Sequence, residues 1–397
     1  MPTVSVFIAS YNHVAYLPET LQSVLGQSYQ DFEIVVVDDG STDGSHELLL
    51  DYQRRYPHKI RCFWHEGRAN KGVTASSNVA MQKSRGRYLA WLGSDDVWSA
   101  DKLAKQMHYV EGHPGLGMVC SYAHVVDEDG NRFPGLMGGD LSHDAFRQLV
   151  VANVVCPSTV LMSRVCLDDV GLFNEQLVNS DWELFIRIAA TYPVGFLPEP
   201  LAAYRLHGHN MSLTASPETK LQRRLAVIET VFRERTCADP GLRTEAHARV
   251  QWQAVLDYCT AGRVDEARRH LEATRALLNG ALPVDGDELI ATVVAYALHS
   301  CRGTLDKKIR FVRDVFATVA PRRERKAIAQ FHIGRAFTCR LRGDVRGVRR
   351  CLASALWHDP GWLCNRGVLS IGAEAFLPHG TSGKLRRLGR ALAERSA

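Results

Sequence analysis

Apolar positions in the first half of the chain fall in short, nearly unbroken runs: VSVFIA (4–9), FEIVVV (32–37), IRCFW (60–64), RYLAWL (87–92) and LGMVCSY (116–122). Between them lie stretches at 15–25, 45–55, 74–84 and 101–111 whose apolar residues share one helical face and whose other face is polar. Continuous apolar strands alternating with amphipathic helices predict βαβ units and a mainly parallel sheet covered on both faces, an α/β fold. From Ser216 onward the strand pattern stops. Helical periodicity takes over at 221–235, 246–260, 264–278, 288–299, 307–319, 326–341 and 345–357, which predicts an all-α second domain. The chain thus divides into 1–215 and 216–397.

In an open sheet of this kind, ligands sit outside the carboxyl ends of the strands. The residues there are polar: Ser10-Tyr11-Asn12-His13 after the first run, Asp38-Asp39-Gly40-Ser41-Thr42-Asp43 after the second, Asn70-Lys71-Gly72 after the third and Ser94-Asp95-Asp96 after the fourth. Each set alone reads as a turn or helix cap. Four sets on consecutive strand ends predict a ligand cleft. There is no P-loop and no G-x-G-x-x-G, so a phosphate-bearing ligand would not rest on a glycine cradle. Asp95 and Asp96 repel each other unless solvent or a cation separates them. Mg²⁺ or Mn²⁺, which prefer hard oxygen ligands, would satisfy the pair.

Composition adds a boundary and some exclusions. Residues 1–215 carry 16 Lys/Arg against 24 Asp/Glu, a net −8, and residues 216–397 carry 32 against 19, a net +13. That contrast indicates two units with different partners. Ten scattered cysteines without a C-x-x-C pair read as thiols, not zinc ligands. The N-terminal stretch lacks a signal-peptide pattern and no apolar run is long enough to span a membrane, so a cytoplasmic location is expected. In KLRRLGRALAER (384–395), Leu385, Leu388 and Leu392 share one helix side among basic residues. This fits either peripheral contact with an anionic membrane or a helix packed on its own domain. No nucleic-acid module is present, and no nucleic-acid partner is expected.

VSVFIASYN, EIVVVDDGSTDGS, NKGVTASSN and WLGSDDVW, followed by SDWELFIRIA (180–189) and YRLHGHNMS (204–212), resemble in order and spacing the family 2 glycosyltransferases of the GT-A fold, across residues 1–215. The resemblance implies inverting, metal-dependent transfer of a sugar from a nucleotide-diphosphate sugar, by family habit a UDP-sugar. The acceptor would be a hydroxyl of a glycan, a lipid-linked glycan or a protein, as in polysaccharide synthesis. It further implies that Asp38 and chiefly Asp39 contact base and ribose, and that Tyr11 flanks the base. Asn70 and Lys71 would line the donor site, and Asp95 would contact ribose or sugar. Asp96 would ligate Mn²⁺ or Mg²⁺, His207 would lie near metal and diphosphate, and Asp181 would be the catalytic base. Two departures stand out: Gly93 where many members carry an acid, and Ala9 where many carry proline.

Such chemistry needs a carboxylate to take the acceptor's proton and a cation to neutralise the leaving diphosphate. Trp182, Phe185, Ile186 and Ala189 recur at i, i+3, i+4 and i+7, so Asp181 falls where a helix N-cap belongs. A helix dipole at that position would favour the ionised carboxylate. Arg68, Lys71 and Arg205 could reach phosphate, while Trp91, Trp98 and Trp182 read as core or acceptor-side packing. Two further readings stay open: a GT-A scaffold without activity whose helical domain binds a partner, and nucleotidyl transfer, which would want a basic glycine-rich loop after the first strand. In the second domain, GRVDEARRHL (262–271) and GDVRGVRRCL (343–352) share G-x-V-x-x-x-R-R-x-L. They point to a degenerate helical-hairpin array resembling tetratricopeptide repeats.

Overall fold

The structure, a computed structural model, describes residues 1–376 apart from 235, 285 and 300–303. The basic segment 384–395 therefore lies outside the described residues. In chain order the elements are β1 (Val4–Ser10), α1 (Leu17–Leu25), β2 (Phe32–Asp38), α2 (Ser45–Arg55), β3 (Ile60–Trp64), α3 (Val73–Lys83), β4 (Tyr88–Trp91), β5 (Val97–Trp98) and α4 (Lys102–Gly112). There follow β6 (Met118–Val126), β7 (Arg132–Met137), α5 (Ala145–Val151), β8 (Leu161–Ser163), α6 (Arg164–Val170), α7 (Ser180–Thr191), β9 (Val194–Arg205) and α8 (Met211–Thr214). The remainder is helical: α9 (Pro217–Arg233), α10 (Pro240–Thr260), α11 (Val264–Leu277), α12 (Gly286–His299), α13 (Leu305–Val319), α14 (Glu324–Leu341), α15 (Val345–His358) and α16 (Arg366–Phe376). No helix among the described residues is long and apolar enough to cross a membrane.

Two compact units emerge. The first comprises Met1–Gly130, Gly135–Gln253 and Ala273–Ala281, and the second the remaining described residues. The boundary expected at 215 is thus displaced. Val227, Ile228 and Val231 of α9 and Ala246 and Val250 of α10 are buried in one apolar cluster with Phe7 and Val35 of the sheet. Helical periodicity locates those helices but does not say which core their apolar face joins.

The sheet of the first unit runs β3-β2-β1-β4-β8-β6-β9-β5, with β7 added to β6. Side chains alternate across it. Phe7, Val35 and Val37 face α3, α5 and α7, while Val4, Val6, Ile8, Ile34 and Val36 face α1, α2 and α4. Burial on both faces is why these strands read as unbroken apolar runs. β1 is parallel to β2 and β4, and β2 to β3. β8 is antiparallel to both β4 and β6, and β9 is parallel to β6. β9 therefore points the same way as β4, and its carboxyl end reaches the edge already occupied by the ends of β1, β2 and β4. The architecture is the expected GT-A-type α/β sheet followed by a helical part, with a second half more mixed than the apolar runs foretold.

In the second unit, Val348, Cys351, Leu352 and Ala355 of α15 pack with Ile333 and Ala336 of α14 and with Val368 and Ile371 of α16. The two G-x-V-x-x-x-R-R-x-L segments fold alike locally. Gly262 (φ 73°) and Gly343 (φ 70°) take the left-handed conformation that ends α10 and α14. The next residue's N–H then reaches back to a carbonyl of the last turn: Arg263 to Tyr258 at 2.9 Å and Asp344 to Cys339 at 2.9 Å. This is a glycine-terminated helix followed directly by another helix.

Candidate active site

The loops after β1 and β2 are tied together by side chains. Asn12, itself left-handed at φ 52°, receives a bond on its side-chain oxygen from the Thr42 N–H at 2.8 Å and gives its own N–H to Ser41 Oγ at 3.0 Å. Gly40 is held at φ 79°, where a Cβ would lie 2.5 Å from the Arg68 carbonyl oxygen, so only glycine fits. Gly40, Ser41, Thr42, Gly44, Glu47 and Arg68 line a groove of about 290 Å³. Tyr11, 46% exposed, stands in the same β1 loop.

Asp38 and Asp39 are both buried at the end of β2. Asp38 meets His46 Nδ1 at 3.2 Å. Asp39 accepts from the N–H groups of Lys71 (2.7 Å) and Gly72 (2.9 Å) and from Ser76 Oγ (2.9 Å). Its carboxylate thus fastens the β2 end to the loop that opens α3. Asn70 and Lys71 are exposed on that loop.

The adjacent carboxylates at the end of β4 part company. Asp96, 2% exposed, turns inward: Oδ1 accepts the Arg205 N–H at 2.9 Å and Oδ2 meets Ser158 Oγ. Burial, and then the charge of Asp95, pushes its carboxyl up to about 8. Ser158 Oγ also accepts the Gly93 N–H at 2.9 Å, pinning the turn. The Arg205 guanidinium is buried as well. It donates to the Asp95 carbonyl (2.9 Å), the Glu128 carbonyl (3.0 Å) and Glu19 Oε2 (2.6 Å), so the expected reach of Arg205 toward phosphate is not found. Asp95 turns the other way. Its Oδ2 lies 2.8 Å from His207 Nε2. A Cβ on Gly93 would sit 2.9 Å from both Asp95 Oδ1 and Asp96 Oδ2, so a side chain there would require these carboxylates to shift.

Three donors converge on this edge. One ligand atom from each of His13, Asp95 and His207 can be chosen so that all lie within 4.8 Å of one another. His13 Nδ1 is 2.7 Å from Ser94 Oγ, and burial lowers the His13 pKa, keeping the imidazole neutral. Tyr16 stacks on His207 with centroids 4.7 Å apart. Two imidazoles and a carboxylate form a donor set that could hold a divalent transition-metal cation. This set keeps the His207 of the sequence reading, has Asp95 in place of Asp96, and adds His13.

α7 begins at Ser180, with Asn179 at the cap, so Asp181 lies in the first turn and is not the N-cap. Its Oδ2 accepts from Asn153 Nδ2 at 3.2 Å. Burial raises its pKa, opposing the hydrogen bonds from Trp182 N–H and Asn153 that lower it. Desolvation thus works against the readily ionised carboxylate that a helix start would favour. Thr74 Oγ1 on α3 meets Ser180 Oγ at 3.1 Å, joining the two helix starts. Trp98 and Trp182 are buried and bonded through their indole N–H to the carbonyls of Ser158 and Leu149, and Trp91 packs on Phe7 and Phe173. All three are packing residues.

The glycosyl transferase family 2 model matches residues 5–171. An uncharacterized glycosyltransferase of Nostoc sp. is 31% identical over 231 residues, covering 55% of this chain and 69% of that protein. The chain belongs to glycosyl transferase family 2. Over 109 residues, 28% of this family 2 chain and 42% of the relative, it is 40% identical to TuaG of Bacillus subtilis, a protein named for teichuronic acid biosynthesis. It spans only 29% and 60% of the length of relatives in Rickettsia bellii and Mycobacterium bovis. A Pyrobaculum calidifontis mannosyltransferase, solved with GDP-Man and Mn²⁺, has a TM-score of 0.50 at 18% identity, covering 81% of this chain and 88% of that one. At that identity it speaks to the fold alone.

Sequence reasoning placed His13 at a strand end without giving it a role, and Ser158 went unnoticed. His13 had a usable signal, an imidazole directly after β1. Ser158 had none, because it lies in a short turn between elements and earns its place only through Asp96 and Gly93.

Proposed function

We propose that the first unit transfers a sugar from a nucleotide-diphosphate sugar to a hydroxyl acceptor, with inversion and with a divalent cation. The observation that carries this is the gathering of Asp95, His13 and His207 at the carboxyl edge of the sheet. The cation, when bound, neutralises charge on the departing diphosphate. Tyr11 and the β2 loop would receive the base, with Asp38 and Asp39 shaping the wall from within and Asn70 and Lys71 along the rim. Asp95 would face cation and donor, while Asp96 braces the turn that presents it. Asp181 would accept the acceptor's hydroxyl proton as that oxygen bonds to the anomeric carbon and the bond to the diphosphate oxygen breaks. Its raised pKa strengthens it as a base while leaving it ionised at higher pH.

The name of the Bacillus relative favours a cell-surface polysaccharide as the acceptor. The UDP-sugar reading is retained, with GDP-sugars as the next donors to try. The helical unit, with its glycine-terminated hairpins and basic surface, would serve acceptor or partner binding in the manner of tetratricopeptide-like arrays. Release of nucleotide from UDP-, GDP- and dTDP-sugars, measured with Mn²⁺ and with chelator, tests the reading. Slow hydrolysis of one donor, abolished by chelation and by Asp95→Asn, is expected. Absence of both turnover and binding with every donor would leave the scaffold reading in its place.

A further inference from the structure

We infer that the solvent-facing side of α15 docks the second unit on an anionic phospholipid surface, with Trp357 at the lipid interface and Arg346 and Arg350 against the headgroups. Membrane contact by this unit stands or falls apart from the chemistry of the first.

α15 divides by helical phase. Val348, Cys351, Leu352 and Ala355 are buried in the apolar cluster with α14 and α16. Arg346, Arg350, Ala353 and Trp357 recur at i, i+4, i+7 and i+11, which sets them along one stripe, and all four are exposed. α15 contains no acidic residue, so neither arginine can form an i,i+4 ion pair within its helix. Arg349, one step round, is used internally: its Nε donates to the Ala375 carbonyl at 2.6 Å.

The charge around the stripe has the same sign. Residues 321–358 carry 10 Lys/Arg against 2 Asp/Glu, a net +8. Both acids are engaged locally. Glu324 lies 3.7 Å from Arg313, and Asp344 accepts the Gly347 N–H at 2.8 Å at the start of α15. At the other end of the helix Arg325 Nη2 donates to the Trp357 carbonyl at 3.4 Å, which brings one more guanidinium to the residue that carries the indole.

Charge alone would suit any polyanion. The apolar surface favours lipid. Trp357 is 78% exposed, and Leu363 and Leu369, in the turn Pro360–Cys364 and in α16, are 54% and 52% exposed. Tryptophan among basic residues is the composition of an interfacial anchor, with the ring at headgroup level and the cations on anionic lipid. A soluble polyanion would offer exposed leucines nothing to bury against. The stripe is separate in sequence from the basic segment 384–395.

The test is flotation of the full chain with vesicles of phosphatidylcholine, with and without phosphatidylglycerol, some carrying brominated acyl chains. The protein should bind only the anionic vesicles, release as salt rises, and show bromine quenching of tryptophan fluorescence that Trp357→Phe largely removes. Arg346→Gln with Arg350→Gln should weaken binding by about 30-fold, roughly fivefold for each cation near an anionic surface. Arg346→Lys with Arg350→Lys should keep it. Melting midpoints should match wild type, which separates lost contact from misfolding. Wild type that ignores anionic vesicles overturns the proposal, as does a Gln double variant that binds like wild type. Binding lost on Leu385→Ser, Leu388→Ser and Leu392→Ser but kept in the Gln double variant would give the contact to segment 384–395 instead. Tight binding of a single-stranded oligonucleotide with no quenching by brominated lipid would make the stripe a polyanion site and overturn it too.

Discussion

The strand ends of the first unit bury Asp38, Asp39, Asp96 and Arg205, each held by hydrogen bonds, whereas α15 of the second unit buries Val348, Cys351, Leu352 and Ala355 and leaves Arg346 and Arg350 exposed. Burying charge or polarity costs free energy unless every group finds a partner. Burying an aliphatic stripe stabilises without specifying any chemistry. The first unit thus carries polar groups that stability alone would not favour, gathered at the carboxyl ends of its strands. The apolar stripe of α15 is a pattern that stability alone explains.

Substitutions should separate the two. The largest effect is expected from Asp181→Asn, which removes the proposed base. Turnover should drop by about 10²- to 10⁴-fold while nucleotide binding, read by calorimetry, is kept. An equal loss of binding would make Asp181 structural and blur the contrast. In the second unit, Leu352→Ala should cost about 2–5 kcal/mol, seen as a lower denaturation midpoint with nucleotide affinity unchanged. Smaller again, Gly343→Ala forces a side chain into a left-handed backbone at about 1–2 kcal/mol, and Gly262→Ala should match it if the two hairpins are equivalent. The finest probe is pH. Because burial raises the Asp181 pKa and the base works ionised, activity should be lost as pH falls through a value above the ordinary carboxylate range. Asn153→Ala removes a bond that holds that pKa down, so the acid limb of the rate profile should move to higher pH. An unmoved limb would assign it to another group.

Much of this was legible in the sequence. β2 and α2 fall where their patterns put them to within a residue, because a doubly buried strand and an amphipathic helix each carry a periodicity that packing does not alter. β5 and β8, of two and three residues, are too short to carry one. The cleft was readable because strand ends in a parallel sheet share an edge. The division between Asp95 and Asp96 was not, because neighbouring carboxylates look alike until Ser158 and the Arg205 N–H, from distant segments, claim one of them. The same limit applies to Asp181: the i, i+3, i+4 pattern marks its helix but not the burial that raises its pKa.

The most direct measurement compares Asp95→Asn with Asp96→Ala for thermal stability and for Mn²⁺-dependent UDP binding. The account predicts that Asp95→Asn melts like wild type and loses the Mn²⁺-dependent component of binding. Asp96→Ala, which strands the Arg205 N–H and the Ser158 hydroxyl, should lose about 1–3 kcal/mol of stability. A stable Asp96→Ala protein that no longer binds Mn²⁺, beside an Asp95→Asn protein that still does, would contradict it.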